Sequence, residues 1–460
     1  MTPHFADPAA PSLPLHLVDK AELAGWLPSQ SETARNWLMA TGFDGGLGDT
    51  RCWPGTDGQA AGAVMGMGDA RARARGRFWV ARAAASLPAG DWHLATVLSV
   101  GDAEEAALGW LLQGYRFDRY HSAKPAAARL KAPANINAAR VLAIAEGEAL
   151  TRDLINTPAN DLGPDELEAA FMALAARFRA AATVVNGAAL ERDFPLIHAV
   201  GKASPRAPRL LDLRWGTGGP LLTLVGKGVC FDTGGLDLKP SANMLLMKKD
   251  MGGAATTMGL AQMVMALNLP LRLRLLVPAV ENSVSGNAMR PRDIYTSRKG
   301  LTVEINNTDA EGRLILADAL ALAAEDKPDW LISMATLTGA ARVAVGMDIS
   351  PYFSDDPRVV AGLEAGAAAA RDPVWRLPFW DPYEPMIEPG IADLDNAPSG
   401  GFAGAITAAL FLRRFADGVP SYTHFDIAGW SVADAPARPR GGVGMGAWAI
   451  LAALPAVLGI

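Results

Sequence analysis

Cysteine is nearly absent: Cys52 and Cys230 are the two in a chain of 460 residues. A disulfide framework and a cysteine-rich zinc module are therefore excluded. A reducing compartment, the cytoplasm, is the expected location. Positive charge is also short. The formal net charge is −6, which argues against nucleic acid as the main partner. The N-terminus, Met1-Thr2-Pro3-His4-Phe5-Ala6-Asp7-Pro8, has no basic start followed by an apolar stretch, so no secretory signal is expected. Histidine is missing where acidic residues crowd. None of His4, His16, His93, His121, His198 and His424 lies in the loops richest in carboxylates. That removes the helical zinc-protease motif and any Ser-His or Cys-His pair. A Gly-x-Ser-x-Gly nucleophile turn is missing too. One uncharged stretch, residues 443–460, is just long enough to cross a membrane. Gly444, Gly446, Pro455 and Gly459 interrupt it, so a buried terminal helix is expected and no membrane partner.

Half of the residues are hydrophobic and 20% are charged, ample for a large core. The length implies more than one domain. Residues 1–130 read as a small α/β domain, with apolar runs at 78–80 and 94–98 between alanine-rich stretches. Its alternating arginines, Arg71, Arg73, Arg75 and Arg77, read as a solvated face rather than a nucleic-acid contact. A junction is expected at 124–128, and residues 131–460 form a larger domain that opens with a linking helix over 137–156. Strands are expected at 209–215, 221–226, 271–280, 302–305 and 330–336, and helices at 252–268 and 312–325. This alternation implies α/β architecture with a mainly parallel central sheet. Ligands of such sheets bind beyond the carboxyl ends of the strands, where the loops after residues 226, 305 and 336 fall.

The densest chemistry is Asn307-Thr308-Asp309-Ala310-Glu311-Gly312-Arg313-Leu314. In a loop or strand, Asp309 and Glu311 point the same way. Converging carboxylates either repel strongly or form half of a metal site. A second loop, Val225-Gly226-Lys227-Gly228 through Phe231-Asp232-Thr233-Gly234-Gly235, lacks the spacing of a phosphate loop; its glycines suit close approach of backbone to a ligand. Lys239-Pro240-Ser241 and Met247-Lys248-Lys249-Asp250 follow. Asp250 taken alone reads as a helix cap. Taken with Asp232, Asp309 and Glu311 it makes four carboxylates, a charge that two divalent cations would neutralise. Lys227 is an unusual ligand, since its amine must first lose a proton.

These stretches, with Leu154-Ile155-Asn156-Thr157-Pro158-Ala159-Asn160 and Ser285-Gly286-Asn287-Ala288, resemble the leucyl (cytosol) aminopeptidases in order and spacing. The resemblance runs from about residue 137 to the end. It implies a two-metal exopeptidase that hydrolyses the N-terminal peptide bond of peptides with a free N-terminus, preferring leucine or other apolar first residues. It further implies that Asp232 and Glu311 are shared by both metals, that Asp309 completes one shell, and that Lys227 and Asp250 complete the other. Lys239 and Arg313 are the implied catalytic cations, with bicarbonate held at Arg313. Met247, Thr336 and Gly339 match positions lining the pocket for the first side chain. Mn²⁺ or Zn²⁺ is the expected metal, with Mg²⁺ or Co²⁺ as alternatives, and a homo-hexamer is the implied assembly. The N-terminal part matches faintly, most clearly at Gly114-Tyr115-Arg116-Phe117-Asp118-Arg119-Tyr120. Asp237 stands where many members have a small polar residue, and is expected to raise the pKa of Lys239. Met445-Gly446-Ala447-Trp448 departs from a more polar pattern near the pocket. Two other readings stay open: a two-metal hydrolase of phosphate esters, and a metal-stabilised DNA-binding protein using the 71–77 arginines.

Overall fold

A computed structural model describes residues 3–122 and 127–460. Two compact units divide the chain, residues 1–149 with 433–440, and residues 150–432 with 441–460. The division falls inside the helix Ala138–Asn156 rather than at residue 130. Of the expected junction, residues 124–126 lie outside the described set. Ala128, at its end, opens another strand of the first unit's sheet.

The first unit holds strands β1 (Leu13–Val18), β2 (Thr50–Pro54), β3 (Ala60–Gly66), β4 (Gly90–Leu94) and β5 (Ala128–Leu130). Their spatial order is β2-β3-β1-β4-β5. In β1 the alternate Leu15 and Leu17 are buried, the period a half-buried strand requires. The apolar run at 78–80 is not a strand. Phe78 has φ +58°, and the segment turns into the helix Ala81–Ser86. Likewise β4 stops at Leu94, because Thr96 Oγ1 bonds both the N–H and the C=O of Leu17 (2.8 and 3.1 Å). The arginine run sits on a short helix, Ala70–Arg73, and the loop after it. Arg73 pairs with Asp19 at 2.6 Å and Arg77 with Glu105 at 2.8 Å.

The second unit continues with β6 (Ala181–Asn186), β7 (Arg209–Trp215), β8 (Leu221–Gly226), β9 (Gly228–Asp232), β10 (Arg272–Asn282), β11 (Ile294–Thr296), β12 (Thr302–Glu304), β13 (Trp330–Ala335), β14 (Ser350–Ser354), β15 (Val374–Leu377), β16 (Leu394–Asp395) and β17 (Tyr422–Asp426). The main sheet runs β15-β14-β17-β13-β8-β10-β7-β6, with β9 also on β10. β17, β13, β8, β10 and β9 pair in parallel, while β7 and β14 join antiparallel on either side. Every residue of β8 and of β13 is buried, as expected of parallel strands covered on both faces. The helix Gly252–Ala266 is buried from Gly252 to Met265, consistent with a helix that is apolar all round. The expected strand at 302–305 is not part of this sheet. As β12 it belongs to a separate sheet, β11-β12-β16, and brings the acidic octapeptide in from the side. The terminal apolar stretch forms the helix Ala447–Leu458, whose Trp448 and Ala449 N–H groups donate to Asp372 (3.0 and 3.1 Å). Among the described residues no helix is long and apolar enough to cross a membrane.

Candidate active site

The parallel strands deliver their carboxyl ends to one edge of the sheet, and the acidic residues collect there. Lys227 follows β8. Its N–H donates to Met334 O (3.0 Å) and its C=O accepts from Ala254 N–H (2.9 Å), which pins the backbone between strand and helix. Its buried ammonium lies 2.7 Å from Asp250 Oδ2 and 2.9 Å from Glu311 Oε1, and donates to Thr336 O at 3.2 Å. Room for it comes from Gly312: a Cβ there would lie 2.4 Å from Lys227 Cε and 2.7 Å from Nζ. Asp250 does not cap a helix. It sits in a 3₁₀ turn, Met247–Met251, and accepts from Thr336 Oγ1 at 2.8 Å.

Asp232 ends β9. One of its oxygens accepts from Gly234 N–H and Asn282 Nδ2 (both 2.9 Å), and the other lies 2.8 Å from Lys239 Nζ. Lys239 also pairs with Asp309. Asp309 stands in a turn and Glu311 opens the helix Glu311–Glu325. Ligating atoms of Asp232, Asp309 and Glu311 all lie within 4.8 Å of one another, so the two octapeptide carboxylates converge. Asp237 plays a different part from the one expected. It accepts from Thr308 N–H at 2.7 Å while its own N–H donates to Thr308 Oγ1 at 2.8 Å. It thereby fastens one acidic loop to the other, and the Lys239 ammonium turns to Asp232 and Asp309 instead.

Arg313 is buried, donates from Nη1 to Asn396 O at 2.5 Å, and leaves Nε without a hydrogen-bond partner. A cavity of about 460 Å³ gathers the expected Lys227, Asp232, Lys239, Met247, Asp250, Asp309, Arg313, Thr336 and Gly339 along its wall, with Glu311 behind Lys227. The structure adds residues that sequence reasoning missed. Asn282 joins Asp232 to Thr308 O (3.0 Å), and Asn396 receives the octapeptide backbone at Asn307 N–H and donates to Asn307 O (3.2 and 2.7 Å). Asp426, at the end of β17, accepts from the N–H groups of Leu337 and Thr338 (3.0 Å each) and from Thr338 Oγ1 (2.6 Å). Asn282 and Asp426 share one signal, a polar side chain ending an apolar parallel strand.

Charge explains the titration of the cluster. Four carboxylates face two ammonium groups, so acid is in excess. Burial, then the neighbouring Asp232 charge, pushes Asp309 up to about 6 and Glu311 up to about 8. Burial opposes the charged form of Lys227 and Lys239 as well, but surrounding carboxylates outweigh it and hold both pKa values above the usual lysine range. Burial lowers Arg313 to about 10; it stays charged at neutral pH. Asp250 Oδ2, Asp309 Oδ1 and Glu311 Oε1 are buried and, though each faces a lysine, accept no well-directed hydrogen bond. Buried carboxylates that outnumber the ammonium groups facing them are costly to desolvate, and their oxygens are the donor set that hard divalent cations take.

Residues 149–451 match the catalytic domain of the cytosol aminopeptidase family. Residues 13–133 match the M17 aminopeptidase N-terminal domain, so the first unit carries much more of the family's pattern than the single stretch read from sequence. A probable cytosol aminopeptidase of Syntrophotalea carbinolica is 42% identical over 362 residues, 74% of this chain and 72% of that protein. One from Geobacter sulfurreducens is 38% identical over 92% of this chain and 84% of its own length. Among solved structures, the cytosol aminopeptidase from Coxiella burnetii superposes with a TM-score of 0.92 at 41% identity, covering 97% of this chain and 98% of that one. The bottromycin maturation enzyme BotP in complex with Mn gives 0.85 at 31% identity, covering 97% and 100%. The chain belongs to the cytosol aminopeptidase family and is a metal-dependent aminopeptidase, a hydrolase of the M17 class.

Proposed function

We propose that the chain releases the first residue of peptides with a free N-terminus, with leucine and other apolar residues favoured, using two divalent cations held by Lys227, Asp232, Asp250, Asp309 and Glu311. The observation that carries this reading is the convergence of Asp232, Asp309 and Glu311, whose ligating atoms lie within 4.8 Å of one another, beside Asp250, Lys227 and Lys239. The donors fit such cations, being oxygen-rich with one amine; Mn²⁺ or Zn²⁺ is favoured, and BotP has been solved with Mn. Bound there, the cations supply Lewis acidity that makes a water nucleophilic near neutral pH.

The chain's own groups account for the rest. Lys239, at the cavity wall and kept protonated by Asp232 and Asp309, offers its charge to the oxyanion that develops at the scissile carbonyl. Arg313 presents a buried guanidinium whose Nε is unclaimed, which suits a small anion such as bicarbonate at that place. Asn396 ties Arg313 to Asn307 within the octapeptide, and Asp237 ties Thr308 to the loop that carries Lys239. Met247, Thr336 and Gly339 line the cavity and are assigned to the first side chain. A cytoplasmic homo-hexamer is the assembly we expect, from the family resemblance. A phosphate-ester hydrolase would need no amine-binding subsite, and Lys227 among the ligands favours peptides.

Steady-state hydrolysis of Leu-p-nitroanilide with added Mn²⁺ tests the proposal. Glu311→Ala is expected to lower kcat/KM at least about 1,000-fold, on the scale of removing an electrostatic catalytic group, and chelation to abolish turnover in the parent. Turnover that persists in the chelated Glu311→Ala protein would sink the two-metal reading.

A further inference from the structure

Two more cations line the cavity, and neither is paired with a carboxylate of the described residues. Lys249 is 6% exposed and sits at the cavity wall. Among the described residues its side chain makes no hydrogen bond or ion pair. Arg342, on the helix Gly339–Val345, reaches the same wall and likewise pairs with no described carboxylate. Its Nη2 comes within 3.8 Å of where a Cβ on Gly339 would lie, and its charge acts on Lys249. The nearby acids are committed elsewhere. Asp250 is held by Lys227 and Thr336, and Asp426 by Thr338 and the backbone N–H groups of residues 337 and 338. A desolvated ammonium without a partner is costly, and a like charge beside it adds to that cost. Negative charge brought in by a ligand would offset both.

We propose that Lys249 and Arg342 form a subsite for a substrate carboxylate, that of an acidic first side chain. The assignment rests on the aminopeptidase reading above and extends its specificity beyond apolar residues. Position supports the first side chain as the source. Lys249 shares the 3₁₀ turn Met247–Met251 with Met247, and Arg342 lies one helical turn beyond Gly339. Both cations thus flank residues assigned to the first side chain. Arg342 presents a planar fork that matches a carboxylate, and Lys249 adds a compact charge. A glutamine of the same shape would leave both cations unpaired, the kind of mismatch a polar pocket rejects strongly. The free terminal carboxylate of a dipeptide is the other source of the same chemistry.

The test compares kcat/KM of the Mn²⁺-loaded protein for Glu-, Gln- and Leu-p-nitroanilide, none of which carries a terminal carboxylate. A second arm compares Leu-Leu with Leu-Leu-amide. Glu is expected to exceed Gln about tenfold. In Arg342→Ala and Lys249→Met the Glu:Gln ratio should fall toward one, and Arg342→Glu should favour Lys-p-nitroanilide over Glu-p-nitroanilide. Because each ratio is taken on one protein, a general loss of activity or folding cancels. A parent ratio at or below one, or a ratio unmoved in both variants, overturns the proposal. So does a response confined to the Leu-Leu and Leu-Leu-amide pair, which would place the carboxylate at the C-terminus. Calorimetric binding of glutamate γ-carboxylate and γ-amide forms of an α-hydroxamate gives the same contrast without turnover. Loss of Leu-p-nitroanilide hydrolysis in the parent would count against the peptidase reading, while the calorimetric contrast still decides the subsite.

Discussion

The first unit and the second spend their charges differently. In the first, Arg73 meets Asp19 at 2.6 Å, with 29% and 40% of the two side chains still exposed. In the second, Lys227 meets Asp250 at 2.7 Å, with 3% and 4% exposed. The distances are alike and the solvent is not. Exposed pairs of the first kind contribute little to stability. Pairs of the second kind cost desolvation that their attraction need not repay, and such groups cluster where charge is used for chemistry. The first unit's arginines therefore need no ligand to explain them, whereas the buried cluster of the second unit does.

The largest effect expected from breaking this contrast is at Gly312. Gly312→Ala inserts a methyl group into the space of the Lys227 side chain. We expect kcat/KM for Leu-p-nitroanilide to fall roughly 100-fold, as for a misplacement of about 1 Å in a catalytic group. Overpacking should cost about 1–3 kcal/mol in urea unfolding. Near-parental turnover would mean the Lys227 position is not critical. A smaller effect belongs to His424, buried beside Ser333 at 2.9 Å and held at a pKa of about 3 by burial and then by the Arg313 charge. The unfolded chain takes up a proton below about pH 6.5 and the folded chain does not until about pH 3. Its contribution is therefore complete above pH 6.5 and lost as pH falls toward 3. In His424→Asn the slope of stability against pH between 6 and 4 should shrink by about 1.4 kcal/mol per pH unit; parallel unfolding curves for the two proteins would refute this. The smallest effect is expected at Arg73→Ala, within about 1 kcal/mol of the parent. Gel retardation of duplex DNA should be the same for both, and a clear loss of binding in the variant would reopen the nucleic-acid reading.

Local chemistry was legible in the sequence, and adjacency across the fold was not. Strands 209–215 and 221–226 were readable because apolar runs between glycines and prolines leave few alternatives. The residues of the octapeptide, of the Lys227 loop and of the Asp250 turn could be named because each motif is short and dense. Their meeting required β8 and β9 to pair with the same strand, β10, and the separate β11-β12-β16 sheet to bring in the octapeptide, which no local pattern encodes. Asn282 and Asn396 escaped notice for that reason: each acts on a loop far away in sequence. Asp237 was misread because nearness to Lys239 in sequence stood in for nearness in space. The 78–80 run failed as a strand because aromatic residues that fill a turn look the same as aromatic residues of a sheet.

Gly312 carries a consequence beyond its own position. The site is defined by a clearance as much as by its charges, since one hydrogen atom in place of a methyl group lets a lysine at a strand end stand between an aspartate of a 3₁₀ turn and a glutamate at a helix start. An inventory of reactive side chains would pass over that position, because it has no side chain to donate, accept or ligate. Any transplant of this constellation into another scaffold would have to copy the vacancy along with the ligands.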